Sequence, residues 1–277
     1  MLPQFYVDDL IKTALTEDIN YIDTTTDLMI PETARTKARF VAKADGVLCG
    51  LEVALRVFRL LDDTVQVTVH IPEGADVHKG DLIAEFEGYT RALLKGERTA
   101  LNLLQHMSGV ATATREAVEL VKGTRAAITD TRKTLPGMRA LQKYAVTVGG
   151  GKNHRFNLSD GAMLKDNHID AAGGIPQAVA QIRGRLGHMV KLEVETRDLH
   201  EVKQALDAGA DVIMLDNMSC EDMAQAVQLV NGRALLEASG GITAATLRAV
   251  AETGVDIISI GALTHSVTAM DISMRIG

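Results

Sequence analysis

Four short apolar runs begin 22 residues apart, at Val190 (VKLEVE), Val212 (VIMLDN), Ala234 (ALLEAS) and Asp256 (DIISIG). Each is followed by a stretch with helical spacing, with Ser219 and Thr243 as expected N-caps and Gly232 and Gly254 as expected stops. A strand followed by a helix at fixed period is a βα repeat, and parallel strands need such crossovers to pair. Ala126–Thr131 and Ala162–Lys165 add two upstream strands, six in all. Six is short of the eight in a full barrel. The expected class is therefore α/β: a distorted, incomplete β/α barrel, with an open doubly wound sheet as the alternative.

The N-terminal part has a different rhythm. Val7, Leu10, Ile11, Ala14 and Leu15 fall at helical spacing, and the chain then turns polar at Asp23-Thr24-Thr25-Thr26. Lys37–Lys43, Val65–Ile71 and Asp81–Glu87 read as strands, and Glu52–Leu61 as a helix between them. Pro72–Glu87 looks like the hammerhead hairpin of biotinyl carriers, without their modified lysine. A long helix is expected from Leu101 to Val121, closed by Gly123 and joining this α+β part to the repeat.

Composition narrows the function. The 277 residues carry 29 Lys and Arg against 36 Asp and Glu, which argues against broad nucleic-acid binding. Met1–Asp9 lacks the basic-then-apolar pattern of a signal peptide. No apolar run approaches the roughly 20 residues that span a bilayer. Cys49 and Cys220 are the two cysteines, so neither a disulfide framework nor a zinc site is expected, and the default setting is cytoplasmic.

In β/α barrels the reactive groups lie at the C-terminal strand ends. Here those ends read Thr131-Arg132-Lys133, Lys165-Asp166-Asn167-His168, Glu195, Asp216-Asn217, Ser239-Gly240-Gly241 and Gly261-Ala262. Between Arg132 and His168, seven Lys and Arg face only Asp160 and Asp166, inside an acidic chain. Arg132, Lys133 and Lys165 are expected to meet a multiply anionic ligand. Arg139, Lys143 and Lys152 read better as a solvated basic face. The turns Ser239-Gly240-Gly241 and Gly261-Ala262 suit a phosphate, since glycine lets it approach main-chain N–H groups at a helix start. Gly149-Gly150-Gly151 reads equally as a flexible loop or a helix stop. Glu195 and Asp216 suit Mg²⁺, ribose hydroxyls or a salt bridge to the basic cluster. Lys191, Glu193 and Glu195 share one strand face, which must point into the barrel mouth or an ion-pair network. His106 is open to either a structural or a functional reading.

The runs GERTALN (96–102), DTRKTLPG (130–137), GGGKNHR (149–155), LKDNH (164–168), LEVE (192–195), LDN (215–217), EASGGI (237–242) and GALTHS (261–266) together resemble the quinolinate phosphoribosyltransferase family. The likeness covers nearly the whole chain in order. One departure is Ile22-Asp23, where the family has Gly-Asp before the threonines. The resemblance implies an N-terminal α+β open-faced sandwich, taken as residues 1–108, and a distorted barrel, 109–277. It implies Mg²⁺-dependent transfer from phosphoribosyl pyrophosphate to quinolinate, giving nicotinate mononucleotide, pyrophosphate and CO₂. It further implies a homodimer or higher oligomer with shared active sites. By the same resemblance Arg132, His154 and Arg155 hold the quinolinate carboxylates, and Arg98 arrives from the partner subunit. Thr131 joins the substrate-binding strand end. Lys133 and Lys165 stand beside the diphosphate and the reacting carboxylate. Glu195 and Asp216 serve ribose and Mg²⁺. Ser239, Gly240, Gly241, Gly261 and Ala262 take the 5′-phosphate. A Schiff-base aldolase on Lys165 fits less well, because Asp166 and His168 make its surroundings polar.

Overall fold

The computed structural model describes residues 2–277, which divide into two compact units. The first comprises the chain up to Arg115, residues 135–150 and residues 264–277; the second comprises 116–134 and 151–263.

In the first unit, α1 (Gln4–Asp18) buries Val7, Ile11 and Leu15, the stripe its spacing predicts. The polar run after it is not a plain loop. Asp23 caps α2 (Thr24–Met29) by accepting the Thr26 N–H at 3.0 Å, and Asp27 takes the Asp23 N–H at 3.2 Å. There follow β1 (Arg35–Ala42), β2 (Gly46–Val47), α3 (Leu51–Leu61), β3 (Gln66–Val69), β4 (Asp76–Val77), β5 (Leu82–Tyr89) and α4 (Thr90–Leu120). The antiparallel sheet runs β3–β5–β1 and ends on the C-terminal strand Ile272–Ile276. Alternation puts Ala38, Phe40 and Ala42 of β1 and Ala84 and Phe86 of β5 into one core with Phe58 of α3 and Leu104 of α4. Lys37, Arg39, Glu85 and Glu87 face solvent, which makes the sandwich open-faced.

Three details depart from expectation. Pro72–Glu87 is no hairpin: β4 pairs with β2, while β5 pairs with β1 and β3. The long helix begins at Thr90, eleven residues early, because Leu93, Gly96 and Ala100 already turn inward between its charges. Lys143, on α5 (Arg139–Val148), is fully buried rather than solvated, since it shares a helix face with Ala140 and Val146. Gly149 closes α5 as its C-cap, so that glycine run begins as a helix stop. His106 meets Gln142 at 2.9 Å, and burial lowers its pKa, a structural role inside this unit.

The second unit holds six parallel strands: β6 (Ala127–Thr129), β7 (Ala162–Leu164), β8 (Leu192–Thr196), β9 (Val212–Asp216), β10 (Leu235–Ser239) and β11 (Ile257–Ser259). Helices α6 (Asp166–Ala172), α7 (Ile175–Arg183), α8 (Leu199–Asp207), α9 (Cys220–Val230) and α10 (Ala244–Glu252) connect β7 to β11. The order β6–β11–β10–β9–β8–β7 is cyclic in sequence and broken only between β6 and β7. A doubly wound sheet would reverse direction part-way along; this one does not, so the incomplete barrel is correct. Ser219 caps α9 as expected, but its stop is Asn231 in left-handed conformation, one residue before Gly232. Among the described residues no helix is long and apolar enough to cross a membrane.

Candidate active site

All six strands of the second unit end around one pocket of about 300 Å³. The strand β6 delivers Thr131, Arg132 and Lys133 in a tight turn, where Thr131 Oγ1 accepts the Lys133 N–H at 3.0 Å. Residues 152–155 run beside that turn: Lys152 bridges to Thr129, and the His154 N–H donates to the buried Asp130 carboxylate at 2.9 Å. This pairing brings His154 and Arg155 to the same pocket as Arg132.

The Arg155 guanidinium donates to the Gly161 carbonyl at 2.9 Å and lies 3.5 Å from the Met163 sulfur. Burial lowers its pKa, and the charge of Arg132 lowers it further. Two guanidinium groups in mutual repulsion are an arrangement that a dianion relieves. Lys165, at the end of β7, reaches Glu195 of β8 at 3.4 Å. Asp216 ends β9 and accepts from the Asn217 side-chain amide at 2.9 Å. Cations thus gather at one side of the pocket wall, and carboxylates follow on the next two strands.

Beyond β10, Gly240 and Gly241 both hold positive φ, +92° and +61°. Asn217 is itself left-handed at φ +54°, and its N–H donates to the Ser239 carbonyl at 2.9 Å. The Asn217 side chain lies where a Gly240 Cβ would stand, so only glycine fits that turn. Ser259 donates to Ser239 across β10 and β11 at 3.1 Å.

Of the residues expected in the site, Thr131, Arg132, Lys133, His154, Arg155, Lys165, Glu195, Asp216 and Ser239 line the pocket. Gly240, Gly241, Gly261 and Ala262 follow the strand ends without lining it, and Arg98 is exposed on α4 in the first unit. Met163, Met214, Glu237 and Ser259 line the pocket without having been singled out. Their signal was available: Glu237 is a carboxylate in the middle of an otherwise apolar strand. Glu193, read as sharing a face with Glu195, is buried and meets His154 Nε2 at 3.2 Å, with Glu237 at 3.4 Å. Burial opposes a charge on His154, and these two carboxylates favour one.

Comparison with known proteins agrees with the motifs. The family described as quinolinate phosphoribosyl transferase, C-terminal domain, matches residues 110–275, and its N-terminal domain matches 23–108. A probable nicotinate-nucleotide pyrophosphorylase (carboxylating) of Bacillus subtilis is 47% identical over 260 residues, spanning 94% of this chain and 90% of that protein. A Synechocystis protein of the same description is 43% identical, spanning 99% and 94%. The crystal structure of NadC from Streptococcus pyogenes superposes with a TM-score of 0.97 at 44% identity, covering 100% of this chain and 98% of that one. With matched domains in both halves and a barrel rim carrying the cations and carboxylates described, the chain belongs to the quinolinate phosphoribosyltransferase family.

Proposed function

We propose that this chain catalyses phosphoribosyl transfer from phosphoribosyl pyrophosphate to quinolinate with loss of CO₂, forming nicotinate mononucleotide and pyrophosphate for NAD synthesis. The observation that carries this reading is the pairing of Arg132 and Arg155 in one pocket with Glu195 and Asp216. Planar guanidinium forks match the adjacent carboxylates of a pyridine dicarboxylate better than point charges do. Met163 and Met214 give the same pocket an apolar surface for the ring.

Glu195 and Asp216 are oxygen donors on neighbouring strands, a set that fits Mg²⁺ held by one or two carboxylates and the substrate's phosphates. When bound there, the ion would neutralise charge developing on the leaving diphosphate. Lys133 and Lys165 face the same groups as fixed cations. Lys165, at the rim, pairs with Glu195 at 3.4 Å. The turns after β10 and β11 offer main-chain N–H groups to the 5′-phosphate. As pyrophosphate leaves and the ring nitrogen bonds the anomeric carbon, the protein's part is positioning and fixed charge. As CO₂ departs with the ring carbon keeping the electron pair, Arg132 and Lys165 are the nearby cations that stabilise the carbanion, and a proton from water then fills that position.

A product assay tests this. Quinolinate, phosphoribosyl pyrophosphate and Mg²⁺ are expected to yield nicotinate mononucleotide and CO₂ in equal amounts, and nicotinate in place of quinolinate is expected to yield neither. EDTA should abolish turnover, and excess Mg²⁺ should restore it. Equal use of nicotinate, or no turnover by folded protein, would refute the reading.

A homodimer is part of the proposal, with Arg98 of a second copy completing each site; the support is that Arg98 is exposed on α4 and absent from its own chain's pocket lining. Mixing inactive Arg98→Ala and Arg132→Ala proteins should then recover up to about a quarter of wild-type activity, since one site in a hybrid dimer carries neither change. Unrecovered activity after subunit exchange would rule out sharing. A cytoplasmic setting belongs to the same proposal, supported by two cysteines held as free thiols.

A further inference from the structure

In the floor of the pocket lies a charge cluster to which the proposed reaction assigns no direct step. Glu193 of β8 and Glu237 of β10 are 6% and 1% exposed, and both aim at His154 Nε2. Their second oxygens, Oε1 in each case, have no hydrogen-bond partner among the described residues. Two buried carboxylates in the floor of an anion-binding pocket weaken that pocket's field, so a chain that keeps them there needs them for something else. The other ring nitrogen is also engaged: the Arg155 main-chain N–H donates to His154 Nδ1 at 2.8 Å.

From this geometry we infer that Glu193 and Glu237 are positioning residues, holding His154 by its Nε2–H so that the ring braces the main chain of Arg155. His154 then acts through Arg155 and offers neither nitrogen to the substrate. The two contacts, 3.2 and 3.4 Å, exceed the usual 2.7–2.9 Å of a single charge-assisted bond, as expected for one hydrogen shared between two acceptors. Glu193 and Glu237 face the ring, and Arg155 faces Glu193. The Arg155 N–H opposes a second proton on Nδ1, because two donors would then face each other.

The same three side chains offer ligand atoms within 4.8 Å of one another, the spacing of a metal site. A metal on Nε2 would leave the imidazole proton on Nδ1, where it would meet the Arg155 N–H. The hydrogen-bond pattern therefore favours a proton, and not a cation, at the centre of the cluster.

The inference rests on the quinolinate reading for its kinetic test and is independent of it for its spectroscopic one. Glu193→Gln, Glu237→Gln, His154→Ala and the double His154→Ala/Glu237→Gln proteins would be compared. Each single change is expected to raise KM for quinolinate about tenfold, with KM for phosphoribosyl pyrophosphate within about twofold of wild type. The double variant should be no worse than His154→Ala, as for groups acting in one chain. In ¹⁵N histidine spectra the wild-type His154 signal should show protonated Nε2, displaced in both Gln variants. Both KM values rising together with a fallen Tm would reduce the cluster to a fold element and overturn the inference. Additive losses in the double variant, or one equivalent of Zn²⁺ retained by wild type and lost in Glu237→Gln, would overturn it too. If wild type fails to turn over quinolinate, the function reading fails while the spectra still decide the role of His154.

Discussion

Arg132→Ala is expected to lower kcat/KM for quinolinate by about three orders of magnitude while KM for phosphoribosyl pyrophosphate changes little. The size follows from what is lost. Truncating one partner of a desolvated, hydrogen-bonded charge pair costs about 2–5 kcal/mol, and about 4 kcal/mol is a factor of roughly 10³. Arg132 also shares the pocket with Arg155, whose pKa burial and the Arg132 charge both depress. Removing Arg132 relieves that repulsion in the empty enzyme, so the variant should lose far more activity than stability. A thermal melt alongside the kinetics separates the two effects. Arg132→Lys keeps the charge and loses the planar fork, and should fall between the two. Equal losses for both substrates, or a lysine variant as active as wild type, would mean that Arg132 supplies general positive potential and does not grip a carboxylate.

Much of this site could be read before any coordinates because strand ends are legible in a βα repeat. The period places β8 to β11, short apolar runs upstream mark β6 and β7, and polar residues at all six ends stand out against apolar strands. Arg132, Lys165, Glu195, Asp216 and Ser239 were found that way and line one pocket. What the sequence hid is where pairing is long-range or burial is unusual. The strand Ile272–Ile276 completes a sheet by pairing with β1, more than 200 residues earlier, and no local pattern announces such a partner. Lys143 is fully buried although lysine is among the residues most often exposed. Glu193 sits two residues before Glu195 on the same strand face, and period-two alternation treats them alike. Only the fold shows that one meets Lys165 at the rim and the other meets His154 below. The resemblance implies that His154 holds a quinolinate carboxylate; its contacts with the buried Glu193 and Glu237 are what no local pattern announced.

Gly240→Ala should raise KM for phosphoribosyl pyrophosphate about tenfold or more and destabilise the protein by about 2–3 kcal/mol, with KM for quinolinate nearly unchanged. Two costs meet at this residue. Its φ of +92° is one that a side chain rarely adopts, costing about 1–2 kcal/mol. A methyl group there would also lie 2.6 Å from Cγ and 2.8 Å from Nδ2 of Asn217. Asn217 cannot yield without consequence, because its amide holds the Asp216 carboxylate at 2.9 Å and its N–H holds the Ser239 carbonyl at 2.9 Å. Displacing it loosens the proposed Mg²⁺ and ribose carboxylate together with the phosphate turn, and adds about 1 kcal/mol for the lost hydrogen bond. Both ends of phosphoribosyl pyrophosphate are affected and neither end of quinolinate is. Asn217→Ala removes the obstacle, so the double variant should be more stable than the sum of the single effects implies, while its KM for phosphoribosyl pyrophosphate stays high. Strictly additive stability losses would show that the φ strain acts alone. An unchanged KM for phosphoribosyl pyrophosphate in Gly240→Ala would remove this turn from the phosphate site.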